Sequence, residues 1–462
     1  TENLDEVVVI GYGTQRKALV TGANLQVDGE DIEKMNTTNA LQALQGQAAG
    51  VQIASTSGQP GEGLKVIIRG QGSLAGSSPL YVVDGIVIGG DISYLNNSDI
   101  ESISVLKDAA SAAIYGAQAS NGVVLVTTKK GKRGSRGQIT FDQYYGLQSV
   151  ARKVDLLNAT EYATIINETA VNSGKPPFFT NDEIAQMGEG TNWMDEMFVD
   201  NAATKNYSLG ISGGSDTSVY SGSLSYLGQE GIVGGKGLSN YNRYNFRFNS
   251  EHKLYKDVVT FGENLSFAYT DRNGIGVGNQ YNNSLRSAFN VSPLLPFYDE
   301  NGGFFSTVGH TEPWLDGSSN PYAAMLYGNQ NESNSQKLVG NVYLEVEPIK
   351  GLTLKTTLGL DYSVGEGHSY NPIYEKLSKY TVQNDYSSVS QSMNKGKTII
   401  WDNLLTYKFN VADNHNFTTM LGTSSIRSNS TFVNGSNADA VFNDLAHAWL
   451  GVTTNSDADL LS

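Results

Sequence analysis

Apolar and polar residues alternate along most of the chain beyond residue 131. Residues 241–249 read YNRYNFRFN, and in a strand successive side chains point to opposite faces. One face of this segment carries Tyr244, Phe246 and Phe248, and the other carries Arg243, Asn245, Arg247 and Asn249. The same period of two recurs over residues 220–226, 259–269, 338–346, 352–362 and 399–409. It predicts a series of antiparallel strands of about 10 residues.

Both a soluble β-sandwich and a transmembrane β-barrel alternate in this way. A sandwich needs inward apolar side chains to build its core. Here one set of side chains is rich in aromatic residues and the other is small and hydrophilic, which favours a barrel with its apolar residues outside. Glu263 falls on the apolar face, where a carboxylate is costly near the membrane midplane. The barrel therefore requires a bulge or a rim position at Glu263.

The region before residue 131 has a different, compact pattern. The sequence predicts a short helix over residues 40–49 and strands over 64–70 and 79–86. Residues 99–131 read as strand, short helix, tight turn and strand. We expect a small α+β domain of roughly 120 residues, a size that is usual for one domain.

A short β-branched run lies beside the first residue. Val7–Ile10 favours extended backbone, and the glycines on either side of Tyr12 stop the strand from continuing. Two interpretations follow from the run alone. It is either an ordinary edge strand paired inside the fold or a strand kept free for a partner.

Composition excludes several classes of protein. The 462 residues contain no cysteine, so disulfides and thiolate metal sites are impossible. The formal net charge is −15 and the basic residues form no extended block, which argues against nucleic acid as a partner. Fifty-one glycines and 25 tyrosines suit strands and turns. The sequence shows neither a transmembrane helix nor a signal peptide. Because it begins with Thr1, we expect it to be a mature or trimmed form of the protein.

No catalytic constellation appears in the sequence. The five histidines are scattered and belong to neither an HExxH nor a GxSxG pattern. Asp299, Glu300 and Asn301 offer oxygen ligands for Ca²⁺, but without the spacing of an EF-hand, and a solvated hairpin loop is the favoured interpretation. We expect a protein that is not an enzyme and has no cofactor or metal.

Several motifs, in one order, resemble a known family. They are DEVVVIGYGTQRK (5–17), LQGQAAGVQI (44–53), SGQPGEG (57–63), IRGQGSL (68–74), SPLYVVDGI (78–86), LNNSDIESISVLKDAASAAIYGAQASNGVVLVTTKKG (95–131) and GTNWMDEMF (190–198). The chain resembles the SusC/RagA family of TonB-dependent outer-membrane transporters of Bacteroidota. The resemblance implies an α+β plug inside a membrane all-β barrel, placed among outer-membrane lipid.

The resemblance also answers the question that the first strand raises. It identifies Asp5, Glu6, Val7, Val8, Val9 and Ile10 as the TonB box, which TonB captures by strand addition. It further implies a SusD-like lipoprotein that captures substrate, and active import through TonB. Our interpretation is that the imported substrate is an oligosaccharide. The alternatives are a peptide importer of the same family and a non-transporting outer-membrane surface protein.

Charged residues in the plug are candidates for a latch between plug and wall. Arg69 lies at a strand end, Asp84 in a VVDG turn, and Glu101 at the start of the next strand. A buried guanidinium needs carboxylates or carbonyls, and its planar fork suits bidentate pairing. Simple turn and strand chemistry explains the three residues equally well.

Aromatic residues fill the long segments between strands, among them Phe297, Tyr298 and Trp314. Rings placed among Asn, Ser and Asp suit the apolar faces and hydroxyl edges of sugars, and they also suit peptides. Packing within the loops is the alternative for any single ring. As a set they favour a polar, uncharged ligand.

A size argument predicts that these residues form only part of a barrel. The plug is about 35 Å across, whereas an eight-stranded barrel has room only for side chains and plugged transporters need about 22 strands. We count roughly nine or ten, so we expect the C-terminal part of the barrel to be absent from these residues, cleaved off or present as another chain. The expected division is residues 1–13 for the TonB box and linker, 14–131 for the plug, and 132–462 for a partial barrel with long extracellular loops.

Overall fold

The computed structural model describes residues 7–10, 13–16, 24–35, 37–47, 49–72, 76–255, 258–278, 283–315, 317–374, 377–378, 384–411, 415–454 and 459–461. Asp5 and Glu6 of the predicted TonB box lie outside the described residues. Strands β1 (Val7–Ile10) and β2 (Gly13–Arg16) form an antiparallel pair, in which Val7 lies opposite Arg16. The predicted strand is therefore paired with the chain's next segment, in a two-stranded sheet of its own.

The plug is built around a five-stranded sheet in the order β3-β8-β9-β6-β7, beside the separate hairpin β4–β5. Its strands are β3 (Asn24–Asp28), β4 (Val51–Ser55), β5 (Leu64–Ile68), β6 (Leu80–Val83), β7 (Ile86–Ile88), β8 (Ile100–Leu106) and β9 (Val123–Thr128). The α-helices are α1 (Gly29–Lys34) and α2 (Ala109–Ala112), and 3-10 helices span Ala40–Leu44, Asn97–Asp99 and Ala113–Ala119. Strands β6 and β9 are parallel, and the other pairs in this sheet are antiparallel.

The helix expected over residues 40–49 is only the five-residue 3-10 helix Ala40–Leu44. The Asn39 side chain caps it by accepting a hydrogen bond of 3.0 Å from the Leu41 N–H. Gly46 and Gly50 both adopt φ of 76°, a left-handed conformation that ends helices. The helix still buries Leu41 and Leu44 completely in the plug core.

Ten antiparallel strands form the wall, each paired with the next along the chain. They are β10 (Gln138–Gln148), β11 (Ala202–Gly214), β12 (Ser218–Glu230), β13 (Asn240–Tyr255), β14 (Val259–Asn273), β15 (Asn331–Ile349), β16 (Leu352–Asn371), β17 (Ser388–Val411), β18 (His415–Ala438) and β19 (Asp459–Leu461). Short connections join β11 to β12, β13 to β14, β15 to β16 and β17 to β18 at one end of the wall. The other end carries all the long connections, which in outer-membrane barrels are extracellular.

The long connections contain the remaining helices of the described chain. These are α3 (Ala159–Asn172), α4 (Asn181–Gln186), α5 (Trp193–Met197), α6 (Gly235–Leu238), α7 (Arg286–Asn290) and α8 (Pro321–Gly328). In the part of the chain that the structure describes, no helix combines the length and apolar character needed to cross a membrane.

The two faces of the wall differ as the alternation predicts. Tyr207, Tyr226, Tyr244 and Tyr269 lie opposite one another on β11 to β14 and form a row of rings along the outer face. Neighbouring centroids in this row are 6.2, 5.1 and 6.3 Å apart. On the inner face Ala268, Val339 and Ile400 pack into the plug core. The predicted combination of an α+β plug with a partial β-barrel is confirmed.

Glu263 occupies a position near the rim. It lies opposite Ser250 without a bulge, four residues after β14 begins at Val259. The Ser250 hydroxyl donates a hydrogen bond to the carboxylate, and His252 contacts the same hydroxyl at 2.7 Å. Closeness to the short-connection end and a hydrogen bond to Oε1 together lower the cost of the carboxylate, although its Oε2 is buried without a hydrogen-bond partner.

Candidate functional site

The polar face of β13 binds the plug through the plug's main chain. Arg243 donates to the carbonyl oxygen of Ser93, and Asn245 donates to that of Tyr94. The Asn249 amide donates a hydrogen bond of 2.8 Å to the carbonyl of Lys129. These side chains are two or four residues apart and share one face of the strand. They therefore contact successive points along the plug surface. We call the contact between the plug and six inward residues of the wall the seam. These residues are Arg243, Asn245, Arg247, Asn249, Lys337 and Asp361.

Arg247 carries the buried ion pair of the seam. Its Nε lies 3.2 Å from Asp99 Oδ1 outside hydrogen-bonding geometry, and both side chains are about 95% buried. The guanidinium also donates to the Lys129 carbonyl at 2.8 Å and to the Ser221 hydroxyl at 3.1 Å. The 3-10 helix Asn97–Asp99 places the carboxylate against β13. A buried charge needs such compensation, so the pair fixes the plug at one orientation on the wall.

A second contact between wall and plug binds the two peptide groups that flank Gly89. Asp361 on β16 accepts the Gly89 N–H at 2.7 Å, and Lys337 on β15 donates to the Gly89 carbonyl at 3.0 Å. The Lys337 Nζ and Asp361 Oδ1 are themselves 2.6 Å apart. The charges compensate each other while each binds the backbone, so the wall holds this turn whatever side chains it carries.

Tyr94 lies beside this contact and is buried in the plug. Burial raises the pKa of Tyr94 well above its ordinary value, and the negative charges of Asp84, Asp361 and Asp91 reinforce the effect. The phenol therefore stays neutral. Its ring lies 6.0 Å from the Lys337 ammonium, within the range of a cation–π contact.

The three predicted latch residues are not brought together. Arg69 and Glu101 have exposed side chains, which favours simple turn and strand chemistry over a buried guanidinium at Arg69. Arg69 adopts φ of 57° at the end of β5, where its N–H donates to the Gly50 carbonyl at 2.8 Å. Asp84 accepts hydrogen bonds from the Thr128 N–H and hydroxyl, and its carbonyl accepts one from Asn341 at 3.3 Å.

The buried guanidiniums come from the wall instead of the plug. Arg243 and Arg247 both stand on the inward set of the YNRYNFRFN alternation. Sequence reasoning placed them on the polar face but did not assign them a role. The signal in the sequence that could have indicated their role is the pair of arginines on the polar face of one strand. That face of the strand is shielded from both water and lipid.

The three predicted ligand-binding rings separate into two environments. Phe297 stacks on the buried Trp193 at 5.8 Å, and Trp314 contacts Phe179 at 4.4 Å, so both contribute to a packed cluster between the long connections. Tyr298 is 58% exposed and stacks on Phe304 at 5.9 Å. Of the three, Tyr298 is the ring that presents most surface to a ligand.

The acidic loop after Tyr298 uses its carboxylate locally. Asp299 Oδ1 accepts the N–H groups of Asn301 and Gly303, each at 2.8 Å. Among the described residues, no three His, Cys, Asp or Glu side chains are grouped to hold a metal ion. A polar cavity of about 170 Å³ lies elsewhere, between the plug and β10 to β12, and Glu33, Asn97, Asp142 and Asn206 contribute to its lining.

Comparison with known proteins agrees with this architecture. Residues 16–123 match the model of the TonB-dependent receptor plug domain. TonB-dependent receptor P26 of Formosa agariphila is 35% identical over 96% of this chain and 43% of its own length. TonB-dependent receptor SusC of Bacteroides thetaiotaomicron is 32% identical over 84% of this chain and 39% of its own length. The chain thus spans about two fifths of the length of these curated relatives.

Solved structures give the same result. The RagAB peptide importer in its open-open state superposes with a TM-score of 0.82 and 27% identity, over 99% of this chain and 53% of that one. A plug seated against a wall of antiparallel strands, with these relatives, matches the plug and part of the barrel of a TonB-dependent receptor. More narrowly, the chain is SusC/RagA-like, as the motifs predicted, and corresponds to the plug and part of the barrel of such a receptor.

Two further expectations are confirmed through these relatives. SusC-type receptors are outer-membrane β-barrel proteins, so the chain belongs in the outer membrane. The relatives are receptors and an importer, and they are not enzymes.

Proposed function

We propose that the chain is part of an active importer that carries oligosaccharides across the bacterial outer membrane, driven through TonB and assisted by a SusD-like lipoprotein that captures substrate. The observation that carries the proposal is the polar seam. A transport plug must leave its seat and return, and a hydrogen bond exchanged for one with water has a net cost of about 0.5–1.5 kcal/mol, or about 1.5–3 kcal/mol where a charged group takes part. Water entering the seam can therefore replace the plug's partners, which an apolar seam would not permit.

Energy coupling is proposed for residues 5–10. Within the described chain β1 is paired only to β2, so its second edge is open to a strand from TonB. A two-stranded hairpin alone is only marginally stable, so replacement of β2 is also inexpensive. Main-chain pairing explains why a short run of residues suffices.

Deletion of residues 5–10 tests the coupling. Uptake should be abolished, while ligand binding at the cell surface and the thermal unfolding of the barrel stay unchanged, because the segment contributes nothing to the plug sheet. Val8→Pro should imitate the deletion, since proline lacks the N–H needed for pairing, and Val8→Thr is the matched control. Normal uptake by the deletion strain would refute the role of this segment.

The proposal of an oligosaccharide rests on rings in the long connections. Tyr298, Phe304, Tyr327 and Tyr374 form a continuous aromatic ribbon, in which Tyr327 and Tyr374 stack at 4.9 Å with planes 9° apart. Flat rings with polar neighbours suit the apolar faces of sugars. A peptide is the second candidate, favoured by the match to the RagAB peptide importer. A non-transporting surface protein is less favoured, because such a protein needs no coupling segment.

Calorimetric titration against panels of glycans and peptides distinguishes the two substrates. Tyr298→Ala should weaken glycan binding about fivefold, since one stacked ring contributes on the order of 1 kcal/mol. Trp314→Ala, whose ring packs on Phe178 and Phe179, is the control for packing and should lower the thermal stability of the long connections. Binding of peptides alone would establish the second candidate, and unchanged glycan affinity in Tyr298→Ala would remove this ring from the site. Copurification of the receptor from outer membranes tests the lipoprotein partner.

A further inference from the structure

Strand register assigns the two faces of β16 and β17 without ambiguity. Asp361 contacts Gly89 of the plug and Ile400 packs into the plug core, so both side chains point inward. Leu358 and Trp401 lie opposite each other, are 51% and 55% exposed, and point outward. No register shift interrupts the pairing of β16 with β17 or of β17 with β18. Every second residue along these strands therefore shares the outward face.

Three cations occupy this outward face next to the apolar band. Lys397 lies opposite Tyr362, Lys395 opposite Val364, and Arg427 opposite Ile399. All three cationic side chains are exposed. Lys397 and Arg427 are diagonal neighbours across β17 and β18, a separation of about 7–8 Å that one ligand can bridge. We call Lys395, Lys397 and Arg427 the cationic cluster.

The depth of the cluster in the membrane follows from its neighbours. Outward residues of β17 toward the short-connection end are mostly apolar, namely Ile399, Trp401, Leu405, Tyr407 and Phe409, with Asn403 as the polar exception. Toward the other end the strands continue to the long, extracellular connections. The Lys395 ammonium lies 5.7 Å from the centroid of Tyr362, so its stem leans toward the apolar band. Such positions lie at the headgroups of the outer leaflet, where lysine stems follow the hydrocarbon boundary.

Charge sets this sector apart from the rest of the wall. The chain carries a net charge of −15, and the corresponding outward positions on β14 to β16 include Asp271, Glu332 and Glu366. On β17 and β18 the outward positions from 389 to 401 and from 425 to 437 contain no carboxylate. The nearest acidic neighbour across the strands is Glu366, which lies opposite Met393. A local excess of positive charge therefore faces the headgroup layer.

We propose that the cationic cluster binds the phosphate groups of a phosphorylated glycolipid of the outer leaflet. Lysine and arginine are the usual phosphate ligands, and arginine binds phosphate oxygens in a bidentate manner. Asn429 and Thr431, opposite Lys397 and Lys395, add neutral donors on the same face. The exposed ring of Trp401 below the cluster offers a surface for the acyl chains, which a soluble phosphate compound would not use.

Lipid binding to the receptor extracted from outer membranes tests the proposal. The probes are bis-phosphorylated lipid A, its dephosphorylated form and inorganic phosphate, each measured by native mass spectrometry with titration. The variant Lys395→Gln/Lys397→Gln/Arg427→Gln should bind phosphorylated lipid A at least about tenfold more weakly. The control Arg136→Gln/Lys175→Gln/Lys350→Gln removes three exposed positive charges elsewhere and should bind like the parent.

Each arm has a result that would overturn the proposal. Affinity within twofold of the parent in the cluster variant would exclude these residues. Equal binding of dephosphorylated lipid A would exclude phosphate recognition. Inorganic phosphate that binds as tightly as the lipid would identify a site for free phosphate instead. The single variant Lys397→Glu, which should also weaken lipid binding, is a second test should the triple variant not fold.

Discussion

The two faces of β13 place opposite chemistries on one strand. Arg243 and Arg247 are 2% and 4% exposed and hydrogen-bond to the plug, whereas Tyr244 and Phe246 are 50% and 41% exposed. In a water-soluble protein this distribution would be reversed. Here lipid accepts the apolar set and the plug's main chain accepts the polar set, so burial follows the partner available to each face.

The difference teaches how one sheet can hold a domain that, under the proposed transport function, must also leave its seat. The outward face is held in place by lipid and needs no specific contact. The inward face combines apolar contacts from Ala268, Val339 and Ile400 with directional hydrogen bonds and two compensated charge pairs, which are Arg247–Asp99 and Lys337–Asp361. The polar contacts specify one seat for the plug, yet water can replace them.

The largest effect on the stability of the seated plug should come from breaking the buried Arg247–Asp99 ion pair on the inner face of the wall. Arg247→Ala leaves Asp99 as an uncompensated buried charge, which should destabilise the seated plug by about 3–5 kcal/mol. Thermal unfolding and protease resistance of the plug in the purified receptor measure this loss.

The outward neighbour on the same strand supplies the control for Arg247→Ala. Phe246→Leu keeps an apolar residue toward lipid and should change stability by less than about 1.5 kcal/mol. Equal protease resistance of the plug in the parent and in Arg247→Ala would mean that the seam does not depend on this pair.

A charge placed on the outer face should have the next largest effect. Leu358→Lys puts an ammonium in the middle of the apolar band, at a cost of about 2–4 kcal/mol, falling to about 0–1 kcal/mol near an interface. Gln336→Lys, which shares the outward face and lies directly opposite Tyr269 at the end of the row of tyrosines, is the matched control. The midpoint of urea unfolding in lipid vesicles reports both variants, and equal costs would contradict the assignment of the band.

The smallest effect on stability should come from a change in the solvent-exposed long connections, which belong to neither face of the wall. The N–H and hydroxyl of Thr180 hydrogen-bond to the Glu183 carboxylate and lower its pKa from the ordinary value of 4.5. A carboxyl whose pKa is lowered by folding contributes stability above its unfolded pKa and loses it as the pH falls through the folded pKa.

Helix α4 should therefore fray at a pH below about 4.5, because protonation weakens the capping box. Hydrogen exchange of the α4 amides between pH 7 and pH 3 measures the change. Glu183→Gln should remove the pH dependence of exchange, and an unchanged dependence in this variant would assign the fraying to another group.

Local pattern predicted much of the fold and less of the site. Alternation in residues 241–249 correctly placed Arg243 and Arg247 opposite Tyr244 and Phe246. It could not reveal that Asp99, more than a hundred residues earlier, would meet Arg247. For the same reason Arg69 was a reasonable candidate for a buried latch, since a strand end in the sequence does not show whether the side chain faces the wall or solvent. Phe297 and Tyr298 are adjacent in sequence, yet one packs on Trp193 and the other is exposed.

The sequence by itself determined the periodicity of the wall, the glycine turns of the plug and the strand at Val7–Ile10, because each depends on neighbours a few residues apart. Tertiary structure alone decided which polar residues meet, from the grip on Gly89 to the pairing of Arg247 with Asp99. It also decided that Lys395, Lys397 and Arg427 share one face beside the apolar band. Those relations depend on the register between strands and on how the plug sits against the wall. Neither is encoded in the local pattern of the sequence.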